Sequence, residues 1–407
     1  MHILRGGVHE LTYCTNIHPG ERLKDVEDNI RSFTVPLKER LTPDAPMGVG
    51  LRLSNEAAGE LVEHDDRLRQ FQHVLEEHDL YVVTMNGFPH GGFHGRRVKD
   101  DVYRPDWRTD DRMRYTERLI AVLAQLLPEG AEGSISTSPI SYKPWLADAG
   151  AREEAFRAGA GRLAAIAFAL FDLRERTGQL IHVGLEPEPD CLIENTEETI
   201  AFFEEWLFRT GAASLRKARG LRAAQAEDLL REHIRVCYDT CHFAVEYEPA
   251  GVVLPAFRRA GVRISKLQIS AALRARLDDQ PRAELAAALH PFAESTYLHQ
   301  VVARSAGGAL HRFPDLPEAL QRLEQDDAVE WRIHYHVPIF VDRFDRLFST
   351  QEEILPAVEG LLQEGAGRHL EIETYTWEVL PEGLKTDVVG SLEREYRWML
   401  DHLKQTG

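Results

Sequence analysis

Cysteine is scarce: Cys14, Cys191, Cys237 and Cys241 are the four in 407 residues, and no two form a C-x-x-C pair. That argues against a disulfide framework and leaves a thiolate zinc site without the close grouping its ligands usually show. Long apolar runs are missing as well. Nothing approaches the roughly 18 apolar residues of a membrane helix, and the opening MHILRGGVHELTYC has no signal-peptide core. The expectation is a cytoplasmic chain with no membrane insertion. Positive charge is in deficit: 48 Lys and Arg stand against 66 Asp and Glu, a net charge of −18, with a sequence pI near 5.5. Such a surface repels nucleic acid and anionic membrane. There is no GxxxxGK[ST] and no strand-linked GxGxxG, so nucleotide binding has no motif behind it. Coiled coil, low-complexity tract and tandem repeat are also absent. What remains is 43% hydrophobic and 28% charged, a composition that suits a globular protein with a sizeable core.

Strand-like and helical patterns alternate along the whole chain. Strand-like runs lie at His9–Asn16, Met47–Ser54, Leu80–Gly87, Glu132–Pro139, Ile181–Pro189, Ile234–His242, Ile264–Ser270 and His369–Trp377. Helical stretches fill most of the gaps, among them Ala-rich 151–177 and a terminal helix near 387–403. Eight strand–helix units predict a (β/α)8 TIM barrel rather than an open sheet. We read residues 1–407 as one such domain, with an elaborated segment at about 280–345 in the connection between strands 7 and 8. That segment holds two further strand-like runs, at 296–304 and 331–340, expected to form a hairpin over the rim; the alternative is that one of them is a barrel strand.

Four of the predicted strands carry polar groups at or near their C-terminal ends, in the chain order Glu186, Asp239-x-x-His242, Gln268, Glu373. In a parallel barrel these ends converge on one rim. Side chains alternate along a strand, so Glu186 shares its face with His182 and Gly184, Asp239 with Cys237, Gln268 with Lys266, and Glu373 with Glu371. The apolar residues take the opposite face. A single such acid is ordinarily a helix cap or a rim salt bridge; three acids and an amide at four strand ends together point to a metal site. Glu186, Asp239, Gln268, His336 and Glu373 are the candidate ligands, with Glu188 and Glu371 as alternatives to Glu186 and Glu373. Oxygen with some imidazole suits Mn²⁺, Mg²⁺, Co²⁺, Fe²⁺ or Zn²⁺ without choosing among them. Asp239 and His242 can both reach one cation, and His334 lies on the same strand face as His336. A divalent cation polarises a carbonyl or stabilises an enediolate. Glu186 and Glu373 on opposite sides of the substrate would take and return the proton, which is aldose–ketose isomerase or epimerase chemistry. Residues expected to touch the substrate are His242, Asn86, His90, Lys143, Lys266 and His334. The long loop at 86–107 holds His90, His94, Arg96, Arg97 and Lys99 and is placed to act as a lid.

GLE ending at Glu186, D-x-x-H at Asp239 and His242, and IETYT around Glu373 resemble the xylose isomerase-like barrel superfamily, which includes sugar isomerases, tagatose-type epimerases and endonuclease IV. In many of those epimerases the seventh strand offers a histidine where this chain has Gln268. YCTNIHPGE, NGFPHGGFHG, VYRPDW, EGSISTSP, LEPEPDC, CYDTCH, KLQIS, YLHQV, HYHVPIF and IETYTWEVLP are similar to the EboE family, bacterial metabolite traffic proteins encoded in an operon linked to export or handling of secondary metabolites. The resemblance implies a small-molecule metabolite and other Ebo-pathway proteins as partners. Three readings follow. The first is a metal-dependent isomerase or epimerase of the sugar-phosphate type, acting on a hydroxycarbonyl metabolite. The second is a non-catalytic metabolite-binding or trafficking component. The third is an endonuclease IV-like phosphodiesterase, which the acidic charge disfavours.

Overall fold

The computed structural model describes residues 1–4, 8–365, 367–385 and 387–405. Eight parallel strands form a closed barrel: β1 Val8–Tyr13, β2 Met47–Arg52, β3 Leu80–Asn86, β4 Glu132–Thr137, β5 Leu180–Leu185, β6 Ile234–Asp239, β7 Ile264–Ile269 and β8 His369–Ile372. Neighbours in sequence are neighbours in the sheet, β8 pairs in parallel with both β7 and β1, and a parallel bridge from Cys14 to Gly50 joins β1 to β2. A short strand, His2–Leu4, adds antiparallel to β1. The (β/α)8 barrel expected from the alternating pattern is the fold.

The strands are buried on both faces, as every residue of β6 and β7 is. Their apolar set packs under the helices, and their polar set fills the axis. The axis is therefore unusually polar, with Lys266 and Glu371 paired at full burial, His182 bonded to Ser265 and Glu132, and His369 to Ser134. Gly50 is required here, because a Cβ on it would fall 1.7 Å from the Glu371 carboxylate. The helices begin where polar caps permit. Ser54 accepts from Ala57 N, Asp148 from Ala151 N and Asn195 from Glu198 N. The Ala-rich helix spans Ala149–Thr177 and ends at Gly178 in the left-handed region.

The connection between β7 and β8 differs from the expected hairpin. Its strands form a six-stranded antiparallel sheet in the order Leu310–Phe313, Val301–Ser305, Ala328–Val337, Ala271–Arg276, Leu347–Ser349, Arg343–Phe344. The two runs foreseen in the sequence do pair with each other, but the sheet starts at Ala271, directly after β7, and so extends beyond the expected 280–345 segment. Neither run is a barrel strand. Between Ile333 and His336 the pairing with Ala271–Arg276 slips, a bulge of the kind that re-aims side chains next to functional sites.

Candidate metal centre

At the C-terminal rim the polar axis ends in a layer of buried acids. Register accounts for the meeting: Asp239 lies opposite Gln268 across β6 and β7, and Gln268 opposite Glu371 across β7 and β8. Glu186 and Glu373 follow directly after β5 and β8. The Gln268 amide bridges the two glutamates, donating to Glu186 Oε1 at 3.2 Å and to Glu373 Oε2 at 2.8 Å. Asn16 and Asn86 both donate to Glu373 Oε1, at 2.7 and 3.0 Å. Asp239 Oδ1 accepts from Cys241 N, His242 N and Ser270 Oγ at 2.7, 3.3 and 2.5 Å, capping the short helix Thr240–Val245. One carboxylate oxygen of Asp239 is thus spent on the fold.

The other atoms are not spent. Among the described residues, Glu186 Oε2, Asp239 Oδ2, Gln268 Oε1, His334 Nε2 and His336 Nε2 are buried without a hydrogen-bond partner. Such atoms normally find one. The histidines are oriented through their other nitrogen: His336 Nδ1 lies 3.0 Å from Glu373 O, His334 Nδ1 2.9 Å from Gln300 Oε1, and His242 Nδ1 2.8 Å from Pro187 O. A backbone or amide oxygen at Nδ1 leaves the Nε2 lone pair for a cation. Potential ligand atoms within 4.8 Å of one another occur in four overlapping groups: Glu186, Asp239 and Glu373; Asp239, His242 and His336; Glu188, His242 and His334; Cys241, His334 and His336. The donor set fits a divalent cation.

Electrostatics agree with that fit. Burial, followed by the charges of Glu186 and Asp239, raises Glu373 well above the carboxylate range. Burial raises Glu186 to about 8, with Asp239 and Glu188 adding to the rise. Burial opposes a charge on His242, yet Asp239, Glu188 and Glu186 together lift it to about 9. Without a cation, these acids hold protons or lean on one imidazolium. Burial takes His336 down to about 4 and His334 well below its usual value, so both are neutral and available as ligands.

Above this floor lies a cavity of about 50 Å³. Phe93, Tyr297 and Tyr375 pack against one another in its wall. The loop at 86–107 covers it and is tied to the inserted segment: Val98 N and Lys99 N both donate to Thr296 O, at 2.7 and 2.8 Å, and Lys99 pairs with Asp315 at 2.6 Å.

The structure brings together Glu186, Asp239, Gln268, Glu373, His336, His242, His334 and Asn86, and moves three expected substrate contacts away. Lys266 shares the inward face of Gln268, but two residues down the strand it occupies the layer below, closed in by Glu371 and fully buried. Lys143 pairs with Glu194 and Glu198 outside the cavity. His90 sits edge-on to Tyr115 and faces a separate outer groove shared with Arg104, Arg108 and Arg118. Asn86 lines the cavity, with its amide engaged by Glu373. Asn16, Tyr103, Cys241 and Gln300 were not singled out. Asn16 ends the strand-like run His9–Asn16, so the strand-end rule applied to that run finds it, although in the structure it lies three residues beyond β1. Cys241 joins His334 and His336 in space, a grouping that sequence spacing conceals. Glu188, one of the alternatives, lines the cavity, whereas Glu371 lies in the deeper layer.

No protein-family model matches the chain, and no curated protein matches it. Among solved structures it is similar to a putative sugar phosphate isomerase/epimerase from Anabaena variabilis, at 9% identity and a TM-score of 0.49, covering 98% of this chain and 99% of that one. A xylose isomerase-like TIM barrel protein from Mycobacterium smegmatis, in complex with magnesium, matches at 11% identity and a TM-score of 0.48 over 98% and 96% of the two chains. A D-tagatose 3-epimerase-like protein matches at 12% identity and a TM-score of 0.47 over 98% and 100%. The fold itself rests on the strand order and register above. Among the described residues, no helix is long and apolar enough to cross a membrane.

Proposed function

We propose that this barrel is a metal-dependent isomerase or epimerase acting on a hydroxycarbonyl metabolite, with Glu186, Asp239, Gln268, His336 and Glu373 holding the cation. The observation that carries the reading is the bridge Glu186–Gln268–Glu373: two glutamates of raised proton affinity held by one amide at the floor of the cavity. The bound cation would stabilise negative charge developing on a carbonyl oxygen. Of the two carboxylates, the one that is ionised takes the proton from the adjacent carbon and the other, still protonated, returns one to the opposite face. Asn16 and Asn86 fix Glu373, and Phe93, Tyr297 and Tyr375 give the cavity an apolar wall. His336 would supply the imidazole that Gln268 does not.

Among the described lining residues Lys99 is the single lysine or arginine, and Asp315 already holds it. An uncharged substrate therefore suits the cavity better than a sugar phosphate. The same lack of a free lysine or arginine weighs against a phosphodiester. The EboE resemblance supports the reading in which such a metabolite is bound or handed on within an Ebo-type pathway without turnover. Incubation with hydroxyketones and aldoses in D₂O with Mn²⁺ separates the two, with quenched samples read by mass spectrometry. Catalysis exchanges deuterium into the carbon next to the carbonyl, and Glu186→Gln abolishes it. Binding without exchange in the wild type favours the trafficking role.

A further inference from the structure

We propose that the rim holds a second, zinc-type cation between Glu188, His242 and His334, beside the oxygen-rich group of Glu186, Asp239 and Glu373. None of the three ligands belongs to the set proposed above for the first cation, and this site assigns His242 and His334 to a metal rather than to substrate.

The geometry is that of a prepared site. One ring nitrogen of each histidine and one oxygen of Glu188 lie within 4.8 Å of one another. His242 Nε2 is 3.4 Å from Glu188 Oε2, and the two rings meet edge to face at 4.7 Å. Each ligand has its own support. Tyr103 Oη donates to Glu188 Oε1 at 3.2 Å. Pro187 O accepts from His242 Nδ1. The Gln300 amide nitrogen lies within donating distance of Pro189 O, at 3.0 Å, and of Tyr103 Oη, at 3.2 Å. That fixes Gln300 Oε1 as an acceptor, toward which His334 Nδ1 points. Supporting partners of this kind set the tautomer of metal-binding histidines. His334 Nε2 is left buried and without a partner among the described residues, and all three side chains line the cavity.

Donor chemistry separates the two positions. Three carboxylates and an amide with a single imidazole favour a hard cation such as Mn²⁺, whereas two imidazoles and one carboxylate are the donor set of catalytic zinc, with a position left open. The inserted sheet makes the site possible, since His334 and Gln300 both come from the connection between β7 and β8.

The test is cation stoichiometry of the full chain, stripped with chelator and desalted. Co²⁺ serves as the visible probe and elemental analysis counts zinc and manganese, with circular dichroism confirming that each variant is folded. The wild type should hold two ions. His334→Gln and Glu188→Gln should each hold one and lose the cobalt absorption of the imidazole-rich site, while Glu186→Gln should lose the other ion and keep that absorption. One ion in the wild type that survives His334→Gln overturns the proposal, as do no ion, a single ion lost equally in all three variants, or two ions retained in both His334→Gln and Glu188→Gln. If Glu186→Gln leaves the count unchanged while His334→Gln lowers it, this site stands and the oxygen-rich centre of the proposed function fails.

Discussion

Asp239→Asn separates the structural from the chemical role of one side chain, because its two oxygens do different work. Oδ1 accepts three hydrogen bonds, from Cys241 N, His242 N and Ser270 Oγ. An asparagine carbonyl in that place accepts the same three, and Asn caps helices about as well as Asp, so folding stability should fall by no more than about 1 kcal/mol. Oδ2, buried and without a partner, becomes an amide donor that offers a cation no lone pair. Changes in the shell around a metal already cost about 10–100-fold in affinity. Losing a charged ligand should therefore weaken Mn²⁺ binding by about 100-fold or more, about 2.7 kcal/mol. Isothermal titration of the stripped protein, beside a urea melt, measures both quantities. A second readout needs no metal: Asp239 is the strongest of the three charges that lift His242 to about 9, so the imidazole should titrate lower in the variant by NMR. A Kd within about threefold of wild type, together with an unmoved His242 titration, would refute the placement of Asp239 at the centre of the site.

Lys266→Met strands the buried Glu371 carboxylate and should cost about 3–5 kcal/mol, whereas Lys266→Met/Glu371→Leu should recover most of that loss; urea melts compare the two, and equal losses would show that the pair is not what the axis depends on. The metal-free protein should lose stability as pH rises. In the folded state Glu186 keeps its proton to about 8 and His242 to about 9, while the unfolded chain releases them near the ordinary values of about 4.3 and 6.5. The folded state thus binds more protons across the interval, and stability falls from about pH 7 to 9. Thermal melts should show this decline, and saturating Mn²⁺ should flatten it; a metal-free melting temperature that rises over the same interval contradicts the assignment.

The barrel was legible because strand-like and helical patterns alternate along the whole chain. Convergence of Glu186, Asp239, Gln268 and Glu373 followed from one geometric rule about parallel strands. Face was legible; for Lys266, depth was not. The two-residue period puts Lys266 and Gln268 on the same side, but each step of two also moves a side chain to another layer, and the lower layer of this barrel is sealed by Glu371. Nothing marked the start of the inserted sheet either, since no turn residue separates Ile269 from Ala271 beyond Ser270. The histidines show why this matters. His334 and His336 sit in a strand whose pairing slips between Ile333 and His336, and a bulge has no residue signature of its own. Their rings reach His242 at 4.7 and 5.8 Å, so a connection that sequence reads as an elaboration delivers imidazole to a rim where β7 carries only an amide. Deleting that connection should therefore remove ligands as well as a cover, and a barrel without it should bind only where oxygen alone suffices.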